Sequence, residues 1–184
     1  YSYGIPNLFG SEFSYHKLEF SMEQWFNVAN IGWSRYIING GKLWGDVPYP
    51  LLIIHPGNET YSFDKYSFNR VNYYEFMSDQ YVSAYYAHHF DGFFLNHIPL
   101  MRRLKWREVV YAKGMIGSLS KENQSFSDFP QFSGGLEGKP YFEAGVGLEN
   151  IFKIFRVDVN WRMTHLDHQD IIPFGVMVTM FFDF

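Results

Sequence analysis

Five polar residues interrupt the apolar stretches near the end of this chain: Glu143, Arg156, Asp158, Asn160 and Arg162. Read with the two-residue period of a strand, Arg156, Asp158, Asn160 and Arg162 share one face of the stretch Lys153–Thr164. Phe155, Val157, Val159, Trp161 and Met163 share the other. Charges of both signs at that spacing suit two roles. They could line a polar lumen that selects solutes or holds an inserted loop, or they could form a structural network that fixes register. With both polar faces on one side of a hairpin, Glu143 is expected opposite or diagonal to Arg156. Hydrolytic chemistry would need a nucleophile, a base and an orienting group together. No spacing of Ser and His singles out such a set, so the chain is not expected to be an enzyme.

The remaining reactive residues give little more. His88 and His89 are adjacent, so on a strand they point to opposite faces and cannot share a metal. His165, Asp167 and His168 fall in a predicted surface loop, where a metal site is conceivable but nothing supplies further ligands. Gly40, Gly41 and Lys42 lack the other glycine and the Ser or Thr of a phosphate loop. No metal and no cofactor is expected. The absence of cysteine excludes disulfides and thiolate sites. A net charge of −4 without a basic run argues against nucleic acid as a partner.

The elements that must carry these residues read as strands. In FGVMVTMFFDF, from Phe174 to Phe184, the residues Phe174, Val176, Val178, Met180, Phe182 and Phe184 form one uninterrupted apolar face. As a helix this stretch would cross roughly half a bilayer, whereas as a tilted strand it would span one. Hydrophobic residues make up 47% of the chain, yet mean hydropathy is −0.21 and no run of about 18 apolar residues occurs. Helical membrane spans are therefore excluded, while an alternating barrel strand would give such averages. Aromatic residues, 21% of the chain, would furnish the girdles at two membrane interfaces. A soluble sandwich with an aromatic core is the alternative.

Taken in order, strands are expected at about Glu12–Met22, Ile31–Leu43, Asp79–Phe90, Lys105–Leu119, Pro140–Leu148 and Lys153–Thr164, and over the terminal stretch. Faces cannot be assigned between 105 and 119, because Glu108 and Lys113 have opposite parity; a bulge would resolve the conflict. The segment Trp44–Ser78, with Pro48, Pro50, Pro56 and Gly57, reads as a long loop of functional interest. Connections 44–78, 120–138 and 165–172 fall at one end of the strands, and 23–30, 91–104 and 149–152 at the other. The first set is the longer, as in outer-membrane barrels, although 91–104 is long for its side. The chain begins at Tyr1 without a leader and shows seven strands, so 1–184 is expected to be the C-terminal part of one barrel domain from a longer precursor.

Several strings together resemble one family: KLWGDVPYPLL, NYYEFMSDQYVS, HHFDGFFLNHIPLMRRLKWREV, GSLSKEN and PYFEAGVGLENIFKIFRVDVNWRMTHLD. They are similar, from about Gly40 to Phe184, to the C-terminal part of Bacteroidota outer-membrane proteins of unknown function that carry an N-terminal carboxypeptidase-regulatory-like domain. The resemblance implies an all-β, antiparallel transmembrane β-barrel in the cell outer membrane, surrounded by outer-membrane lipid. The terminal strand resembles the assembly signal of such barrels, which implies that Phe184, Phe182, Met180, Val178 and Val176 are read by the barrel-assembly machinery. A more distant likeness is to the assembly-factor (surface-antigen) barrels, where a loop preceding the last five strands of 16 folds into the lumen. The Arg-Gly-aromatic motif of that loop does not occur between Trp44 and Ser78. The function expected is non-enzymatic, in envelope biogenesis or transport, with a passive or plugged solute channel and a soluble β-sandwich binding module as alternatives.

Overall fold

A computed structural model describes residues 1–6, 13–126, 129–130, 132–168 and 170–180. In chain order the elements are β1 (Ser2–Gly4), β2 (Tyr15–Asn27), β3 (Trp33–Trp44), β4 (Ile53–Ile54), β5 (Met77–Ser78), β6 (Gln80–His89), α1 (Pro99–Leu104), β7 (Arg107–Ser118), α2 (Lys121–Phe126), β8 (Tyr141–Ile151), β9 (Phe155–Arg162) and β10 (Phe174–Met180). Eight of the strands form one antiparallel sheet in the order β1-β2-β3-β6-β7-β8-β9-β10, and β4 pairs with β5 separately. The sheet is open, with β1 and β10 at its edges.

Register places side chains of one parity in continuous rows across the sheet. Ile37 lies opposite Tyr85, Tyr85 opposite Lys113, Lys113 opposite Glu143, and Glu143 opposite Arg162. This face is covered. Segment 45–78 folds back over it and supplies half of one hydrophobic cluster: Phe68, Val71 and Phe76 pack with Met115, Leu136 and Tyr141. Nearer β3, Val47, Leu52 and Met77 close on Leu43. The chain thus buries apolar area between a sheet and its own loop, where a sandwich would use a second sheet.

The opposite face is apolar and uncovered. Val176, Val178 and Met180 are 51, 49 and 53% exposed, and Val82, Ile116, Val146 and Phe20 are exposed beside them. The apolar face of the last three strands is therefore not the buried one, as a soluble sandwich would require; the polar face is.

Eight strands occupy the main sheet rather than seven, because Ser2–Gly4 adds a short edge to β2. β2 runs on to Asn27, so the expected connection 23–30 shrinks to a turn around Gly32. There φ is +108°, and a Cβ would collide with the His89 carbonyl. The expected start of that strand at Glu12 lies outside the described residues, as do Phe182 and Phe184. No bulge occurs in β7: Lys113 faces the covered side, and Glu108, at the strand's end, turns outward and accepts the Leu95 N–H. The irregularity lies in β8 instead, between Leu148 and Ile151. Its tip uses left-handed Asn150, Phe152 and Lys153 (φ +63°, +51° and +70°).

Candidate functional site

The segment 45–78 is fastened to the covered face by side chains from five strands. On β2, Glu23 takes Lys65 Nζ at 2.8 Å and the Tyr66 hydroxyl at 3.1 Å. On β7, Lys113 donates to the backbone carbonyls of Asp64 (2.5 Å) and Ser67. On β8, the Glu143 carboxylate accepts the backbone N–H groups of Asn69 (2.8 Å) and Arg70 (2.9 Å), and the Tyr141 hydroxyl at 2.8 Å. On β10, the Thr179 hydroxyl accepts the Phe63 N–H at 2.8 Å, and the Val178 N–H donates to the Tyr61 carbonyl at 2.8 Å.

On β9, Arg162 places all five of its guanidinium hydrogens. Its Nη atoms make a bidentate pair with Glu75 at 3.0 and 2.7 Å and also reach the Arg70 and His165 carbonyls, while Nε donates to the Thr164 carbonyl. Paired and saturated in this way, a buried charge is tolerated where an unpaired one would not be. One aromatic ring joins the loop to a second cluster. Phe63 lies 4.7 Å from Lys113 Nζ and 4.3 Å from the Arg156 guanidinium, and packs on Tyr111. Arg156 in turn holds Asp158 through two bonds of 2.7 Å and Glu149 through a third. Glu149 also accepts His89 at 2.9 Å, and the His89 ring stacks flat on Trp33.

All five polar residues singled out by the sequence are buried on this face. Glu143 and Arg162 touch the loop directly, and Arg156 touches it through Phe63. Asp158 orients Arg156, and Asn160 donates to the Met177 thioether at 3.2 Å. Glu143 does not lie beside Arg156: the register pairs it with Arg162, and Arg156 finds Glu149. The reason is that β8 continues past Leu148 to Ile151, which brings Glu149 into the hairpin as a strand residue.

Of the terminal-strand residues, Val176, Val178 and Met180 project from the exposed face, away from the loop. Glu23, Phe63, Lys113 and Thr179 were not evident beforehand. Lys113 alone gave a signal, a lysine in the middle of a strand. His165 and His168 are held by protein groups: His168 pairs with Glu75 at 3.2 Å, His165 meets the Lys139 carbonyl, and both rings pack on Phe76. Among the described residues no group of three or more His, Asp or Glu could hold a metal ion. Within the loop, His55 is buried against the Ser78 hydroxyl at 2.9 Å, and burial depresses its imidazole to a pKa of about 4.

The chain belongs to a family of unknown function, DUF5686, whose C-terminal domain matches residues 1–134. The match takes in β1 to β7 and the whole fastened segment; β8 to β10, which carry Glu143, Arg156 and Arg162, lie beyond it. Neither the curated proteins nor the solved structures contain a match to the chain.

Proposed function

We propose that this chain is the C-terminal part of an outer-membrane β-barrel whose lumen is closed from within by the segment 45–78. The barrel acts without catalysis, as a component of envelope biogenesis or transport. The observation that carries this reading is the fastening of one loop to five strands, through buried charges on β7, β8 and β9, on the side of the sheet away from the apolar face. A lumen with an internal plug calls for the charged groups inside and an apolar wall outside; the buried charges lie under the loop among its apolar contacts, and the uncovered face is apolar. The edges of the sheet, at β10 and at β2 beyond the three residues that β1 pairs, are where the remaining strands of the barrel would add, displacing the Tyr61 carbonyl from the Val178 N–H. Connections 45–76, 119–140 and 163–173 share one end of the strands; the other end has the tight turns at 28–32 and 152–154 together with the longer connection 90–106. In this reading Val176, Val178 and Met180 face lipid, and the sequence they share with Phe182 and Phe184 is the signal read during assembly.

Planar-bilayer recordings on the full-length protein test the plug. The intact protein is expected to conduct poorly, and deletion of residues 58–74 is expected to open a steady ionic current. An intact protein that conducts as well as the deletion variant would replace the plugged barrel with a passive channel. Protein that stays in the aqueous phase without detergent would remove the membrane reading altogether.

A further inference from the structure

The connection between β6 and β7 is much longer than the two turns at the same end of the sheet, and it is almost wholly exposed. That exposure is unusual for its composition. Phe93, Phe94, Ile98, Leu100 and Leu104 all stand in the open, Leu100 at 63%. Soluble proteins seldom leave such a run uncovered. The connection is also basic: Arg102, Arg103 and Lys105 have no carboxylate partner among the described residues, and Arg107 is 3.5 Å from Asp91. Arg102, Lys105, Arg107, His97 and Trp106 line a cleft of about 530 Å³, in which Asp91 is the one carboxylate among the described residues.

Two contacts set this segment on the apolar side of the sheet. Rings run in contact from His88, which has outward parity, to Phe90 at 4.3 Å, then to Phe94 at 5.1 Å and on to Phe93 at 5.0 Å. From β7, the outward Glu108 accepts the Leu95 N–H. The helix α1 closes on left-handed Lys105 (φ +56°), and the Lys105 carbonyl takes Asn150 from the neighbouring hairpin at 2.7 Å, which ties the connection to the rim. The exposed apolar groups thus continue the apolar face of the sheet, with cations and a tryptophan beside them. That is the composition of a segment lying in a membrane interface, apolar side chains among acyl chains and basic heads at the phosphates.

We infer that residues 90–107 form an interfacial anchor that binds anionic phospholipid headgroups through Arg102, Arg103, Lys105 and Arg107 at the rim of the sheet. The inference rests on the barrel reading, and the test separates the two. Residues 1–184 have no cysteine, so once any cysteine elsewhere in the full-length protein is replaced by serine, each introduced cysteine is a single label site. Full-length protein labelled at Leu100→Cys or, as a control, at Val178→Cys is refolded into vesicles with brominated acyl chains. The vesicles are either pure phosphatidylcholine or a mixture of phosphatidylcholine and phosphatidylglycerol. The Leu100→Cys label should be quenched strongly in the mixed vesicles. Quenching should be several-fold weaker in pure phosphatidylcholine and in the triple variant Arg102→Gln/Arg103→Gln/Lys105→Gln, while the Val178→Cys label is quenched throughout. An unquenched Leu100→Cys label beside a quenched Val178→Cys label overturns the anchor alone. Equal quenching of the Leu100→Cys label in every lipid and variant overturns the headgroup assignment. Loss of quenching at both positions overturns the barrel as well.

Discussion

Glu143→Gln is the sharpest perturbation of the loop attachment, because it keeps the shape of the side chain and removes one acceptor and one charge. The carboxylate is fully buried and receives three hydrogen bonds, two of them from the loop backbone at Asn69 and Arg70, with Lys113 Nζ at 3.9 Å. An amide can retain the pair from Arg70 and Tyr141 on its oxygen. Its NH2 group must then face the Asn69 N–H, leaving a buried donor unsatisfied at about 1–3 kcal/mol. The surviving bonds lose their charge assistance, and Lys113 loses its carboxylate, a change that costs on the order of 3–5 kcal/mol when a buried pair is fully broken. Two carbonyls still solvate Lys113 and these contributions overlap, so the expected loss is about 3–5 kcal/mol in total. Denaturant unfolding of full-length protein from lipid vesicles would measure it, and trypsin mapping would locate it, with new cleavage after Lys65 and Arg70. A loss below about 1 kcal/mol, the value of one ordinary hydrogen bond, with both sites still protected, would refute the fastening role of Glu143.

Acid should loosen the same loop through His55, whose folded-state pKa of about 4 lies below the ordinary 6.5. The contribution is complete above pH 6.5 and is lost as pH falls towards 4, by about 2 kcal/mol at pH 5, and His55→Gln should flatten that part of the stability–pH curve. On the proposed barrel, Val178→Arg should cost about 2–4 kcal/mol in vesicles, since it puts a charge into the wall assigned to lipid. Thr179→Arg forfeits the bond to the Phe63 N–H, worth about 1 kcal/mol; a larger loss for Thr179→Arg would invert the two faces. Tyr111 lies over Gly145, where a Cβ would overlap its ring and come within 2.8 Å of the Val159 carbonyl. Gly145→Ala should therefore destabilise by about 1–3 kcal/mol. Tyr111→Phe, which removes a buried hydroxyl that faces Asn160 outside good hydrogen-bond geometry, should change stability by less than about 1 kcal/mol in the same unfolding assay.

The faces of β8, β9 and β10 could be read from alternation alone, because a two-residue period separates Glu143, Arg156 and Asp158 from Phe142, Phe155 and Val157 without any long-range information. Register could not. A slip of one residue would expose every polar group, but a slip by an even number keeps each on its face. Glu143 opposite Arg156 and Glu143 opposite Arg162 therefore fit the same pattern. The choice between them is made at the hairpin tip, where non-glycine residues take left-handed conformations that propensity does not favour. Three prolines and Gly57 marked 44–78 as irregular, yet its seat depends mainly on backbone N–H and carbonyl groups of Phe63, Asp64, Ser67, Asn69 and Arg70. Every residue carries such groups, so they leave no mark in the sequence. Glu108 obscured β7 because a carboxylate at a strand end answers to the adjoining connection rather than to the parity of the strand.

The most direct measurement is the parity of lipid contact along the terminal strand. Single cysteines placed in turn from Phe174 to Met180, labelled and refolded into vesicles with brominated acyl chains, report whether each position faces the bilayer. Strong quenching is expected at 174, 176, 178 and 180, and little at 175, 177 and 179, where Gly175, Met177 and Thr179 meet the interior and the loop. Quenching without alternation, or none at any position, would contradict a membrane barrel built on this sheet.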